Sequence, residues 1–149
     1  PNRRLLTKQL KKALIVHIRN TRQGALLFID LDNFKTLNDT LGHETGDLLL
    51  QQVALRLLSC VREADTVARL GGDEFVVMLQ GLSAQALNAA TDAEAVGHKI
   101  LDAFSPPFML AGRHYRSTPS IGISMIITSL ITYMIRTLAI AHEIIRHSP

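Results

Sequence analysis

Asp30 and Asp32 stand at the carboxyl end of the apolar run Ala25-Leu26-Leu27-Phe28-Ile29, and Asp73 and Glu74 directly follow Gly71-Gly72. Carboxylates held rigidly, with positions left open for phosphate, are what Mg²⁺ prefers, since it takes oxygen ligands and gives up its water reluctantly. Two such ions about 3.5–4 Å apart can activate a hydroxyl and steady a leaving oxygen in phosphoryl transfer. Lys35, five residues beyond Asp30, can reach a terminal phosphate as a point charge. Asn38 and Asp47 bring an amide and a carboxylate, which together can read the edge of a purine such as guanine. A plain turn with solvated acids would use the same Gly-Gly-Asp-Glu residues, so residue type alone leaves both readings open.

For the acids to meet, strands must carry them. Ala68-Arg69-Leu70 and Phe75-Val76-Val77-Met78-Leu79 flank the two glycines, which predicts a β-hairpin with Asp73 and Glu74 opening its second strand. Successive strand residues face opposite ways, so only one of the two acids would face a given ligand. The unbroken run Ala25 to Ile29 predicts a central strand buried on both faces. If it pairs beside the hairpin, Asp30 and Asp73 converge at one edge of the sheet. Asn33 to His43 reads as a short helix or turn over the strand tip, and Gly46-Asp47 opens an amphipathic helix reaching Val61. Ser83 is the expected N-cap of a helix ending at Phe104 before Pro106-Pro107. Phe108 to Leu110 and Tyr115 to Met125 are expected strands joined by Ala111-Gly112-Arg113, with further helices after Asn2 and from about Leu130 to His147. This order predicts an α+β domain, a mostly antiparallel sheet with helices packed around it.

At 149 residues, 47% hydrophobic and 19% charged, the chain reads as one globular domain over residues 1–149. Its net charge of +3 suits a phosphate-bearing ligand, but no Lys/Arg block suggests nucleic acid, and there is no Trp for stacking single strands. The longest apolar region, Ile121 to Ile135, is interrupted by Gly122, Ser124, Thr128, Ser129 and Thr132, short of a membrane span. Cys60 reads as core filler in a reducing, cytoplasmic setting. The start at Pro1 without a methionine suggests a domain excised from a larger signalling protein.

The segments Asp30-Leu31-Asp32-Asn33-Phe34-Lys35, Asn38-Asp39, Gly42-His43, Gly46-Asp47, Arg62-Glu63-Ala64-Asp65 and Gly71-Gly72-Asp73-Glu74-Phe75, in that order, resemble the motifs of the GGDEF family, the diguanylate cyclases. Pro1-Asn2-Arg3-Arg4 resembles the end of the family's opening motif and Ser120-Ile121-Gly122-Ile123-Ser124 its late strand, so the resemblance runs from Pro1 to about Ser124. It implies a palm-like fold akin to nucleotide cyclases and polymerases, and condensation of two GTP into cyclic di-GMP with release of pyrophosphate. It implies Mg²⁺ (or Mn²⁺) on Asp30, the Leu31 carbonyl and Asp73. Asp73 and Glu74 become the expected catalytic residues, Asp73 as base or metal anchor for the attacking 3′-hydroxyl and Glu74 as its support. Phe34, Lys35, Asn38, His43 and Asp47 would contact the nucleotide, with Asn38 and Asp47 on guanine and Lys35 on phosphate. Each protomer would bring one GTP, so catalysis would need a homodimer. Arg62 and Asp65 resemble the family's inhibitory product site, where a guanidinium pairs with guanine or phosphate and a carboxylate accepts guanine N–H groups. The plainer reading of Arg62 and Asp65 is an i,i+3 ion pair at a helix end. Asp32 reads as a cap of the following turn.

Past Ser124 the chain departs from the family's pattern. The expected helix with an Ala-Asp pair and a phosphate-binding Ala-Lys is replaced by an apolar stretch from Met125 to Arg146. Loss of phosphate-binding cations would weaken triphosphate binding and transition-state stabilisation. Two functions therefore compete: a working cyclase, and an impaired domain that binds GTP or cyclic di-GMP as a regulatory module.

Overall fold

The computed structural model describes Lys8 and residues 22–126. Lys8 aside, the helix expected after Asn2, the helix expected from Leu130 and the atypical tail lie outside the described residues. Within them the sheet is built on β1 (Gln23–Leu31), flanked by β3 (Glu74–Leu82) and β6 (Pro119–Ile126), with β2 (Thr66–Gly71) outside β3. The order is β2-β3-β1-β6 and every pairing is antiparallel. Helices α1 (Phe34–Leu41), α2 (His43–Cys60) and α3 (Ala86–Phe104) complete the α+β architecture, and β4 (Phe108–Leu110) pairs with β5 (Arg113–Tyr115) in a small separate hairpin.

Alternation along β1 sets the layers. Ala25, Leu27, Ile29 and Leu31 are buried, and join Leu49, Val53 and Leu57 of α2, Ala89, Ala93 and Ile100 of α3, and Phe75, Val77 and Leu79 of β3 in one core. The strand is central, as its apolar run predicts, but it is not buried on both faces along its whole length. Phe28 is 46% exposed and Asp30 lies open. The described helices share the Ile29 face, and on the other face Phe28 and Asp30 lie exposed where the strand nears its end. A smaller cluster of Ala68, Val76 and Met78 occupies the same outer face farther back.

Several element boundaries move for local reasons. Helix α2 begins at His43, three residues ahead of Gly46, because Gly42 makes the whole break between α1 and α2. Its φ of +85° is a conformation only glycine adopts freely. The Gly42 amide donates to the Asn38 carbonyl (2.9 Å) and the Gly42 carbonyl accepts from the Gly46 amide (3.2 Å), so one residue closes one helix and opens the next. Helix α3 begins at Ala86 and not after Ser83, because β3 extends to Leu82; the Ser83 hydroxyl accepts from the Gln85 amide in a local turn instead of capping the helix. The expected strand from Tyr115 to Met125 divides into β5 and β6, and Arg113 belongs to β5 because the turn is the two-residue pair Ala111-Gly112, both at positive φ.

Arg56 ties the far ends of the helical layer together. Its Nη1 donates to the carbonyls of Ala103 (3.0 Å) and Pro106 (2.6 Å), and its Nη2 to that of Pro107 (2.8 Å). These carbonyls lie at and beyond the C-terminus of α3, where a helix has no internal donors left to offer. The guanidinium carbon also sits 3.6 Å from the centroid of the fully buried Phe108 ring. Arg56→Ala is expected to destabilise the domain by about 2–3 kcal/mol, from charge-assisted hydrogen bonds and a cation–π contact that are not fully additive. Arg56→Lys should recover less than half, since an ammonium cannot reproduce the planar fork. Urea denaturation reads both, and an unchanged midpoint in Arg56→Ala would show that the clasp contributes nothing.

Candidate metal and nucleotide site

The acidic end of the sheet depends on a tight hairpin. Gly71, the last residue of β2, pairs with Glu74, the first of β3, leaving Gly72-Asp73 as a two-residue turn with Gly72 at φ +49°. Asp73 is therefore a turn residue and not part of the second strand, because the loop begins one residue later than the glycines suggest. The alternation that would send Asp73 and Glu74 to opposite faces does not act across a turn, and both charges bear on Asp30. Arg69 braces the turn by donating from Nε to the Gly72 carbonyl at 2.9 Å. A register shift between Arg69 and Gly71 lies beside it.

Strand pairing then brings the acids together. Asp30 stands opposite Glu74 across the β1–β3 ladder and opposite Ser120 across β1–β6. Its carboxyl is held above the ordinary value by local desolvation first, then by the negative charges of Asp73, Glu74 and Asp32, and by a side-chain hydrogen bond with Asp73. Asp32 goes the other way. It accepts from the Thr118 hydroxyl (2.6 Å) and the Ser120 hydroxyl (2.8 Å), which hold it below the ordinary carboxylate value. Its own amide donates to the Thr118 carbonyl at 2.9 Å. Asp32 is structural, as expected, but it pins the β1–α1 junction to β6 and caps nothing; Asn33, at φ +60°, occupies the cap position and makes no side-chain cap bond.

The nucleotide-binding candidates gather on the α1–α2 elbow. The Phe34 ring is in the core at 9% exposure, so what this residue can offer a ligand is its backbone. Lys35 follows in the first turn of α1 with its side chain exposed. Asn38 is half-buried, and its Oδ1 is buried without a hydrogen-bond partner. His43 is exposed as the first residue of α2. Asp47 is exposed one turn further on, where with Gln51, Arg69 and Phe75 it borders a hollow of about 310 Å³. A second hollow, about 430 Å³, is lined by Asp30, Glu74, Phe28 and Ser120 and shares the Phe75 wall. Sequence reasoning missed Arg69, Thr118 and Ser120. The hydroxyls become visible only through the β1–β6 register, since they lie 86 and 88 residues from Asp32.

Arg62 and Asp65 lie beyond α2, which ends at Cys60 with Val61 extended, so they are not neighbours on a helix. Asp65 Oδ2 accepts from the Arg62 amide (2.9 Å) and Oδ1 from the Gln80 amide (3.0 Å), which fastens this turn to β3. The structure thus shows backbone contacts in place of the plain ion pair. The two side chains border a hollow of about 280 Å³ together with Asp92 and Lys99 of α3. Cys60 is buried there, its Sγ 3.7 Å from the Lys99 carbonyl, consistent with a core role.

Among the described residues no three His, Cys, Asp or Glu side chains form a ready metal cage. The side chains at the sheet end are nonetheless carboxylates, and desolvation first, then their negative charges, raise Asp30. That set fits a hard dication such as Mg²⁺ or Mn²⁺ that draws its remaining ligands from phosphate and water.

Comparison with known proteins gives a consistent result. Residues 1–146 match the family model described as "Diguanylate cyclase, GGDEF domain", farther along the chain than the motifs reach by inspection. The chain is 45% identical over 125 residues, 84% of its length, to the bifunctional diguanylate cyclase/cyclic di-GMP phosphodiesterase MucR of Pseudomonas aeruginosa, of which it spans 17%. It is 40% identical over 126 residues, again 84% of its length, to diguanylate cyclase TpbB of the same species, of which it spans 28%. The crystal structure of the TpbB GGDEF domain superposes with a TM-score of 0.78 at 39% identity, covering 84% of this chain and 75% of that one.

The opposed electrostatics of Asp30 and Asp32 give a prediction. In chelator, Asp30→Asn should raise the thermal midpoint at neutral pH, because ionised Asp30 costs stability above its raised pKa and acidification relieves that cost. Asp32→Asn should lower the midpoint, because a depressed carboxylate adds stability above the ordinary value near 3.8 that is lost as pH falls through its lower folded value. Thermal denaturation against pH reads both signs, and equal shifts in the same direction would contradict the electrostatic assignment.

Proposed function

The chain belongs to the GGDEF family of diguanylate cyclases, and from that premise we propose that it joins two GTP molecules into cyclic di-GMP at a site completed by a second copy of itself. The observation that carries this reading is the convergence of Asp30, Asp73 and Glu74 at one exposed end of the sheet, beside the α1–α2 elbow. In each of two equivalent steps, the 3′-oxygen of one GTP forms a bond to the α-phosphorus of the other and the bond to pyrophosphate breaks. Asp73 is the base or metal anchor for that hydroxyl, and Glu74 supports it. Mg²⁺ (or Mn²⁺) on Asp30, the Leu31 carbonyl and Asp73 would neutralise phosphate charge and make the hydroxyl more acidic. Lys35 meets the phosphates, His43 and the backbone of Phe34 contact the nucleotide, and Asn38 and Asp47 read guanine. One protomer holds one GTP, and an open site at the sheet end lets two protomers present their substrates face to face.

Product control fits the Arg62–Asp65 hollow. The exposed Arg62 guanidinium can pair with a guanine edge or phosphate of cyclic di-GMP. The Asp65 carboxylate keeps lone pairs beyond those its two backbone donors use. The domain spans a small part of MucR and TpbB, which suits a cytoplasmic catalytic module within a larger signalling protein. Among the described residues no helix is long and apolar enough to cross a membrane.

A second reading rests on the stretch from Met125 to Arg146, which lacks the Ala-Asp and phosphate-binding Ala-Lys the family pattern calls for. A domain short of those groups would bind GTP or cyclic di-GMP without turnover. Incubating the concentrated domain with GTP and Mg²⁺, with mass-spectrometric detection of cyclic di-GMP, separates the two. Product is expected from the parent, with a fall of at least about 10²-fold in Asp73→Ala, while Asp73→Ala still binds cyclic di-GMP. Turnover persisting in Asp73→Ala would remove that residue from its role. Absence of product from an enforced dimer that still binds cyclic di-GMP would establish the binding module.

A further inference from the structure

We infer that Gly46 is a positioning residue for guanine recognition: its missing side chain is the seat in which the Asn38 carboxamide lies. Gly46 is buried in the first turns of α2 and its φ is not in the left-handed region, so the backbone there does not call for glycine. Glycine within a helix is less favourable than alanine, so helix stability does not explain it either. The packing does. A Cβ added to Gly46 would overlap the Asn38 Oδ1, and would stand 3.0 Å from the Asn38 Cγ and 3.3 Å from the Phe34 Cζ. The side chain in the way is the Asn38 carboxamide itself, the same group whose buried Oδ1 has no hydrogen-bond partner.

The elbow explains why the two residues meet. Gly42 turns α1 directly into α2, with its amide on the Asn38 carbonyl and its carbonyl on the Gly46 amide. This folds the second half of α1 against the first turn of α2 and sets the Asn38 carboxamide on Gly46, adjacent in sequence to Asp47. An alanine methyl at Gly46 would meet the Asn38 carboxamide first, a rotatable side-chain tip that can move aside, while the core ring of Phe34, 3.3 Å away at Cζ, would have to give by a few tenths of an ångström. The carboxamide would have to swing out of its seat, and the pairing of amide and carboxylate at the base would be lost. Gly46 thus trades helix stability for the placement of a ligand-reading group.

This inference rests on the proposed reading of guanine by Asn38 and Asp47, and a double-mutant cycle tests the two apart. GTP affinity in the presence of Mg²⁺ is measured for the parent chain, Gly46→Ala, Asn38→Ala and the double variant, with thermal midpoints alongside. Each single variant should bind GTP about tenfold more weakly, the order of one or two lost hydrogen bonds. The double variant should be no weaker than Asn38→Ala, since Gly46 acts only through that side chain. Gly46→Ala should keep or raise the thermal midpoint and narrow the preference for GTP over ATP. Parent-like affinity in Gly46→Ala with weak binding in Asn38→Ala would overturn the inference and leave the guanine reading standing. Parent-like affinity in Asn38→Ala would overturn the reading and the inference with it. Losses that multiply in the double variant, or a lowered midpoint in Gly46→Ala that Asn38→Ala does not restore, would make Gly46 a structural residue only.

Discussion

Strand pairing forces like charges into one place. Asp30 is held opposite Glu74 by an antiparallel ladder, and the Gly72-Asp73 turn adds another carboxylate within reach. Left to themselves these groups would separate, and Asp30 is raised by desolvation first and then by the charges of its neighbours. What keeps them together is remote from them: the β3–β1–β6 ladder and the apolar face that carries Leu27, Ile29, Phe75 and Val77 into the core. The core therefore stabilises an arrangement of like charges that is unfavourable taken alone.

The remaining acid, Asp32, relieves the crowding. Two hydroxyls and a backbone contact turn it away to β6, which both lowers its pKa and fixes where β1 gives way to α1. Asp30 and Asp32, two residues apart, are therefore shifted in opposite directions by their surroundings, with the same charge type in both. The junction Asp32 anchors also sets the start of α1, and through Gly42 the start of α2, so the acidic end and the α1–α2 elbow are positioned by a single continuous segment from Asp30 to Asp47.

Much of this was legible in the residues. The Gly-Gly between two apolar runs specifies a hairpin by turn chemistry, and the run Ala25 to Ile29 specifies a strand beside it; both are local properties. The segments around Asp30, Asn38, Gly46 and Gly72 appear in an order specific enough to identify the family. Less legible were boundaries set by competition between neighbours. Helix α2 begins at His43 because Gly42 adopts a conformation open to glycine, and α3 waits until Ala86 because β3 claims residues to Leu82. A helix-period pattern gives no means of weighing such claims. Phe34 shows the same limit: its place in the motif suggests contact with nucleotide, while packing sends its ring into the core.

By itself, then, the sequence determined the α+β class, the hairpin and the central strand, because each follows from periodicity, turn residues and short-range spacing, while the candidate site residues follow from the resemblance to the family's motifs. Only the tertiary structure decided that Asp73 shares Asp30's neighbourhood with Glu74 on a turn, that Asp32 faces Thr118 and Ser120 across the sheet, that Asp65 serves the backbone, and that Asn38 rests on Gly46. Those outcomes depend on register between strands and on contact between helices, and register joins residues that are far apart in the chain, where no local pattern can record which partner will be opposite.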